Sequence, residues 1–148
     1  MGELRGKGVA GIEFQVFAHS TEDPDKVIKA LFFLSDEKLE VAKEKVRGHY
    51  GNEVIIFRAK ASGREAEKIV RRLASLMSEE DKAKIGRQLS LRCDGHGNLF
   101  LRFDKQKAYL GEVRLSDYED VVRAKIKFSR NKLEEIREIC KTYNLIVE

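Results

Sequence analysis

The sequence is poor in several residue types that mark specialised classes of protein. Among its 148 residues there is no tryptophan, one proline and two cysteines. A secreted disulfide scaffold of this size carries more cysteines, so we expect Cys93 and Cys140 to be free thiols in a reducing compartment. No apolar run reaches the roughly 20 residues that cross a bilayer, and residues 1–8 lack the apolar stretch of a signal peptide. The expectation is a cytoplasmic protein with no membrane partner.

Catalytic and metal-binding motifs are also missing. The sequence contains no P-loop, Gly-x-Ser-x-Gly, His-Glu-x-x-His or Gly-x-Gly-x-x-Gly. Cys93 and His96 have the spacing of a ligand pair, but a structural zinc needs four ligands and there is no second pair. We therefore predict no catalytic residue, no metal and no cofactor. An enzyme would need histidines or carboxylates that converge, for example His49 near His19 or His96.

What the sequence does contain is segregated positive charge. Its 29 lysines and arginines outnumber 25 acids, and the net charge is +4. Residues 82–107 hold seven basic residues against two acids, and residues 121–133 hold five basic residues and no acid. This layout favours a nucleic-acid partner over an acidic small molecule. The heavy use of Lys, Glu and Arg is typical of heat-adapted surfaces.

Hydrophobic periodicity predicts an α+β domain. Alternation of period two predicts strands, and apolar stripes at helical spacing predict helices. We predict a flexible segment at residues 1–8 and a single α+β RNA-binding domain over 9–148, with an antiparallel sheet of about five strands and helices packed on one face. The predicted strands are 10–18, a hairpin of 39–47 and 53–61, a hairpin over 88–104, and 123–128. The predicted helices are 24–35, 63–77 after a capping box at Ser62, 78–86, short turns within 105–119, and a last helix capped by Ser129.

The sharpest candidate site is a row of cations on the last predicted strand. Arg123, Lys125 and Lys127 alternate with apolar residues, so they share one face about 7 Å apart. Arg130 and Lys132 carry the row to the start of the last helix, where free N–H groups favour phosphate. Such an array suits a phosphate backbone. The alternative is a solvated face neutralised by the acids of residues 117–120 or 134–138.

Two further candidates lie on the predicted hairpins. Arg92 and Arg102 face the same way across the second hairpin if its register follows the alternation. Phe100 beside them could stack on a base or pack under a helix. At the tip of the first hairpin, Arg47, His49 and Tyr50 offer a cation, a hydrogen-bonding ring and a stacking surface. The alternative there is an ordinary turn in which Tyr50 packs locally.

The stretch from Ile12 to His19 (IEFQVFAH), followed by Thr21-Glu22-Asp23 and by Gly48-His49-Tyr50-Gly51-Asn52, resembles an archaeal family. It is the family of small RNA-binding proteins predicted as exosome-associated subunits. The resemblance implies a fold similar to the double-stranded-RNA-binding domain and to the ribosomal protein that binds 5S RNA. It also implies a non-catalytic role in RNA processing or ribosome assembly. The chain departs from the double-stranded-RNA-binding pattern, because Ser129-Arg130-Asn131-Lys132 is a thin analogue of its Lys-rich final helix.

The resulting hypothesis is a non-catalytic protein that binds structured RNA through a basic sheet face and a hairpin tip. The expected partners are RNA and, from the resemblance, exosome or ribosomal proteins. The alternative is a protein-interaction subunit, either a homodimer or a scaffold within a complex, that makes no direct contact with RNA.

Overall fold

The computed structural model describes residues 8–48 and 50–147 of the chain. These residues form five strands and six helices, and the strands make one antiparallel sheet in the order β2-β3-β1-β5-β4. This confirms the predicted α+β class. The elements are β1 (Val9–Ala18), α1 (Pro24–Leu34), β2 (Val41–Arg47), β3 (Glu53–Ser62), α2 (Gly63–Leu76), α3 (Glu79–Arg87), α4 (Leu89–Arg92), β4 (Asn98–Asp104), α5 (Lys105–Tyr109), β5 (Val121–Phe128) and α6 (Leu133–Thr142).

The strands β1, β3, β4 and β5 bury side chains at alternating positions, as their sequences predict, whereas β2 has no fully buried residue. In β5, Ala124, Ile126 and Phe128 are buried, while the residues between them are exposed or half-buried. The same alternation in β4 buries Leu99, Leu101 and Phe103. Apolar residues at every second position therefore supply the core, and polar residues face outward.

The first predicted hairpin is confirmed. β2 and β3 pair antiparallel, from Val41 opposite Ala59 to Arg47 opposite Glu53. The turn between them uses Gly51, whose φ of +83° is accessible to glycine without strain, and its N–H donates to the Gly48 carbonyl at 3.0 Å. This register decides which side chains of β2 and β3 lie beside each other on the same face of the sheet.

Contacts divide the chain into two compact units. Unit 1 comprises residues 8–12, 61–101 and 125–147, and its core includes the buried stripe of α2 together with Ile136, Ile139 and Cys140 of α6. Unit 2 comprises residues 13–60 and 102–124, where α1 packs against α5 and the core includes Phe14, Leu31, Phe57 and Phe103. The single domain over 9–148 stays a prediction. Of the predicted flexible segment 1–8, only Gly8 is among the described residues.

Side-chain caps explain where several helices begin. Asp23 caps α1 by accepting the Asp25 N–H at 3.0 Å, and Pro24 occupies the first turn. Ser78 caps α3 by accepting the Asp81 N–H at 3.1 Å. Ser62 occupies the N-cap of α2, as predicted. Its side chain accepts no hydrogen bond from the first turn, so the predicted capping box does not form.

The predicted hairpin over 88–104 is wrong in its first strand. Residues 89–92 form the short helix α4, in which the Arg92 N–H donates to the Gln88 carbonyl at 3.0 Å. Leu89 is fully buried whereas Leu91 is 82% exposed, so the two leucines do not share a face. The segment contains no β-branched residue, and Leu and Arg are good helix formers, so local helical bonds prevail over a short period-two pattern. Cys93 alone keeps a bridge to Leu99.

The last helix also begins later than predicted. Its N-cap is Lys132, because Ser129 is bound elsewhere. The Ser129 N–H donates to the Gly8 carbonyl at 2.9 Å, and the Ser129 hydroxyl lies 3.3 Å from the same oxygen. Ser129 therefore extends the pairing of the strands and cannot cap a helix.

Candidate nucleic-acid interface

The cations of β5 stand on the outward face of that strand. Arg123 is exposed, Lys125 and Lys127 are half-buried, and all three alternate with buried residues. We call these three residues the β5 row. Within residues 8–48 and 50–147, the side chains of Arg123 and Lys125 form no ion pair or hydrogen bond. Asp120, one of the acids that could have neutralised the row, instead binds Lys105 at 2.7 Å.

The segment after β5 extends the basic surface within unit 1. Arg130 and Lys132 are both exposed. The turn before β4 supports this segment, since the Phe128 N–H donates to the Gly97 carbonyl at 2.7 Å. Gly97 has φ +88°, and a Cβ there would lie 3.0 Å from the Arg130 carbonyl. The backbone that presents Arg130 therefore rests directly on a glycine turn.

That turn is held by its own carboxylate. Asp94 accepts the Asn98 side-chain amide at 2.8 Å and the His96 N–H at 2.8 Å. These bonds, the Asn98 amide first, hold the pKa of Asp94 below its ordinary value. The carboxylate is thus engaged in shaping the loop beside the basic segment.

The structure does not place Arg92 and Arg102 across a hairpin, as the sequence suggested. Arg92 lies on α4 and donates twice to the Gln88 side-chain carbonyl, at 3.0 and 2.8 Å. Arg102 lies on β4, and its guanidinium donates to the Tyr118 carbonyl. Both arginines therefore serve local contacts. Phe100, on the outward side of β4, is 42% exposed.

The hairpin tip presents the groups that the sequence predicted, as far as the structure describes them. Arg47 is exposed at the end of β2, and Tyr50 is 87% exposed. His49 lies outside the described residues. The tip therefore offers an aromatic ring and a guanidinium to a partner.

One group of ionisable residues in unit 2 resembles a metal site. His19, Glu22 and Asp120 place ligand atoms within 4.8 Å of one another. The Lys105 ammonium, however, binds the Glu22 carboxylate at 3.1 Å, Asp120 at 2.7 Å and the Phe17 carbonyl at 2.8 Å. A metal ion would have to displace this buried lysine, so the group is an ion-pair network. Lys105, one of the seven basic residues counted in the stretch 82–107, is thereby part of the folded core and not of a basic surface.

Sequence reasoning missed the cations of the β2–β3 hairpin. On β3, Arg58 and Lys60 are exposed between the buried residues Phe57, Ala59 and Ala61. The signal was available, because this is the same period-two alternation that marked β5. On β2, Lys43 and Lys45 are exposed as well.

Rows of exposed Lys and Arg on the strands of an antiparallel sheet form a basic surface of the kind that nucleic-acid-binding domains present. Comparison with known proteins identifies the family. The model of a family described as RNA binding matches residues 11–128, a range that includes the hairpin tip and the whole β5 row. The chain therefore belongs to this RNA-binding family.

Individual relatives are archaeal. The chain is 37% identical over 122 residues to an RNA-binding protein of Pyrococcus abyssi, covering 78% of this chain and 79% of that one. It is 36% identical over 139 residues to an uncharacterised protein of Methanocaldococcus jannaschii, covering 86% and 93%. A crystal structure of a DUF54 protein from Archaeoglobus fulgidus superposes with a TM-score of 0.79 at 31% identity, covering 91% of this chain and 99% of that one.

In the described residues, no helix is long and apolar enough to span a membrane.

Proposed function

We propose that this protein binds structured RNA without catalysing a reaction on it, and that the β5 row is its main phosphate contact. The observation that carries the proposal is the outward alternation of Arg123, Lys125 and Lys127 on a strand whose other face is core. A rigid strand holds the three Cα atoms at intervals of about 7 Å, so the backbone is already ordered and only the side chains lose freedom when phosphates bind. Membership of an RNA-binding family supports the same function.

The mechanism is positioning by electrostatics. Each phosphate neutralised by a lysine or arginine releases condensed counterions, which makes the affinity fall as salt rises. Arg130 and Lys132 extend the contact, whereas the guanidinium groups of Arg92 and Arg102 are engaged by the Gln88 side chain and by the Tyr118 carbonyl. At the hairpin tip, Arg47 binds phosphate, while His49 and Tyr50 meet a sugar or base. Such contacts read the shape of A-form RNA more than its sequence.

We further propose RNA processing with the exosome, or ribosome assembly, as the setting, and the cytoplasm as the location. The support for this setting is the resemblance of residues 12–23 and 48–52 to the RNA-binding proteins predicted as exosome-associated subunits. Affinity purification of the chain from an archaeal lysate, with and without nuclease, tests the setting. Exosome or ribosomal subunits that co-purify after nuclease treatment are the expected result, and their absence in both samples contradicts it.

The proposed RNA contact is tested by measuring binding of a labelled RNA hairpin across a salt series. The test variant is Arg123→Gln/Lys125→Gln/Lys127→Gln. We expect its log–log dependence of affinity on salt to be shallower than that of the wild type by about two to three units. The matched control is Arg64→Gln/Lys68→Gln/Arg72→Gln, which removes three exposed cations at intervals of about 6 Å along α2.

The control separates a local contact from net charge, because both variants lower the net charge equally. A control variant that weakens binding as much as the test variant would show non-specific attraction only. A wild type that does not bind the hairpin would contradict the proposal. The β5 row would then be a solvated surface or a protein-facing one, as in the alternative of a protein-interaction subunit.

A further inference from the structure

β2 carries a second row of cations. The pairing register places every other residue of the strand on the face that β3 uses for Phe57. All three basic residues of β2 are exposed, and they occupy these alternate positions. They are Lys43 opposite Phe57, Lys45 opposite Ile55, and Arg47 opposite Glu53. We call Lys43, Lys45 and Arg47 the β2 row.

The acid that interrupts this row in the sequence is held on the other face. Glu44 accepts a hydrogen bond from Arg58 Nη1 at 2.8 Å, and Arg58 Nε donates to the Gln15 side chain at 3.1 Å. Glu44 is thereby neutralised by a partner pointing away from the β2 row. The face of the row retains three cations with Glu53 as the acid opposite Arg47. Their side chains have no ion pair or hydrogen bond within the described part of the chain.

β2 and β4 are the two edge strands of the sheet, and their outer edges differ in whether other residues pair with them. The β4 edge is covered by residues 114–116, since the Asp104 N–H donates to the Arg114 carbonyl at 2.8 Å and the Ser116 N–H to the Arg102 carbonyl at 2.9 Å. β2 pairs with β3 along its inner edge, and no strand of the described residues pairs with its outer edge. An unpaired strand edge can receive an extended partner strand or a polymer running alongside it.

Charge decides between these occupants. In a twofold antiparallel pairing of two copies of β2, centring on Glu44 sets Lys43 opposite Lys45 of the second copy. Centring on Lys43 or Lys45 sets that lysine opposite itself. Like charges directly opposite each other destabilise a strand pair, so a second copy is a poor occupant. Three cations of one sign about 7 Å apart instead complement a polyanion.

We infer that the β2 row is a second RNA-binding surface, which tracks a phosphate backbone along β2 toward the exposed ring of Tyr50 at the hairpin tip. The inference rests on the proposed function and adds a contact that is separate from the β5 row. Tyr50, 87% exposed, is placed to stack on a base or sugar where the backbone passes the tip. The occupant is thus a ribose-phosphate chain and not a protein strand.

The test is the same RNA hairpin and salt series, applied to Lys43→Gln/Lys45→Gln/Arg47→Gln. We expect the salt dependence to become shallower by about two to three units, one for each phosphate that the variant no longer binds. The α2 variant described above is the control for net charge. A charge-conserving variant, Lys43→Arg/Lys45→Arg, should bind as the wild type does. Thermal melting of each variant checks folding, and Lys45→Gln alone, with a decrease of about one unit, replaces the triple variant if it melts early.

Each outcome has a distinct meaning. Loss of binding in the β2 variant, with the α2 variant unaffected, supports the inference. If the β2 variant binds as the wild type does while the β5 variant fails, RNA binding stands and the inference is overturned. If the β2 variant keeps its affinity but becomes dimeric in size-exclusion chromatography, the lysines protect a strand edge and the inference is also overturned. A wild type without salt-dependent binding overturns the proposed function itself.

Discussion

The ammonium group of Lys105 is held by three acceptors at a position that solvent barely reaches. Its side chain is 9% exposed, and it contacts the carboxylates of Glu22 and Asp120 as well as the Phe17 carbonyl. A buried cation is tolerated only when charges and hydrogen bonds compensate for its lost hydration. His19 contacts the same two carboxylates, through its backbone N–H to Glu22 at 2.9 Å and through Nε2 to Asp120 at 3.4 Å, so Lys105 is the cation that all three acceptors share.

Replacing Lys105 is therefore expected to destabilise the fold without acting through RNA. Lys105→Met keeps the aliphatic stem but removes the ammonium group that the two carboxylates and the carbonyl share. We expect a loss of about 2 kcal/mol in the free energy of unfolding, since both carboxylates are partly solvated. Urea denaturation measures it. Lys107→Met, an exposed change of equal charge on the same helix, should cost less than about 0.5 kcal/mol. Equal effects of the two substitutions would show that the network contributes nothing.

At the scale of elements, the turn before β4 forms the support for the segment that follows β5. Gly95 and Gly97 both have positive φ, +81° and +88°. They differ in their surroundings. A Cβ at Gly95 meets open space, whereas a Cβ at Gly97 lies 3.0 Å from the Arg130 carbonyl and 3.0 Å from Asn131 Oδ1. Comparing substitutions at the two glycines therefore separates the effect of backbone strain from the effect of a steric clash with the segment that carries Arg130.

We predict that Gly97→Ala is more destabilising than Gly95→Ala. Each substitution introduces the strain of a left-handed backbone, about 1 kcal/mol. Gly97→Ala must in addition push the backbone at Arg130 away, and we expect a total of about 2 to 3 kcal/mol. Thermal or urea denaturation of both variants gives the comparison. If the two variants are destabilised equally, the contact between the turn and residues 130–131 contributes nothing to the free energy of unfolding.

The elements also show what a sequence pattern can and cannot predict. Long amphipathic segments such as α2 and β5 were predicted correctly, because their apolar residues repeat over several turns or pleats. The strand predicted at 88–93 rested on three alternating residues, and local helical hydrogen bonds prevailed there. Ser129 has the chemistry of a helix cap, but its bond to Gly8 depends on a strand more than 100 residues away in sequence. Long-range pairing of this kind leaves no local signature.

For the whole molecule, counting charges along the sequence identified one stretch whose cations are mostly exposed and another in which two of the cations are buried. The stretch 121–133 keeps Arg123, Arg130 and Lys132 exposed. In the stretch 82–107, by contrast, Lys82 and Lys105 are buried. Net charge carries no information on burial, so the second count included cations that stabilise the fold. Lys43 and Lys45 of the β2 row escaped notice for the opposite reason. Glu44 between them diluted their charge in the sequence, although the period-two alternation of a strand already places this acid on the opposite face.

A property of the folded molecule as a whole is its response to alkaline pH. Burial raises the pKa of the Cys140 thiol to about 12, with Cys93 acting in the same direction and Arg137 against it. In the unfolded chain the thiol has its ordinary value of 9.0. Below pH 9 both states hold the proton, so this thiol contributes its full stability there. Between about pH 9 and 12 the unfolded state loses the proton first, and the free energy of unfolding falls by up to about 1.4 kcal/mol per pH unit.

The variant Cys140→Ala removes this contribution and so isolates it. At neutral pH it should be less stable than the wild type by about 1 kcal/mol, because the packing of one buried sulfur is removed. As the pH rises from about 8 to about 11, the gap should close before about pH 10 and then reverse, because only the wild type loses the contribution of Cys140, at up to about 1.4 kcal/mol per pH unit above its unfolded pKa. Urea denaturation under reducing conditions at each pH follows the difference. Curves that stay parallel would mean that Cys140 becomes accessible to solvent before the molecule unfolds.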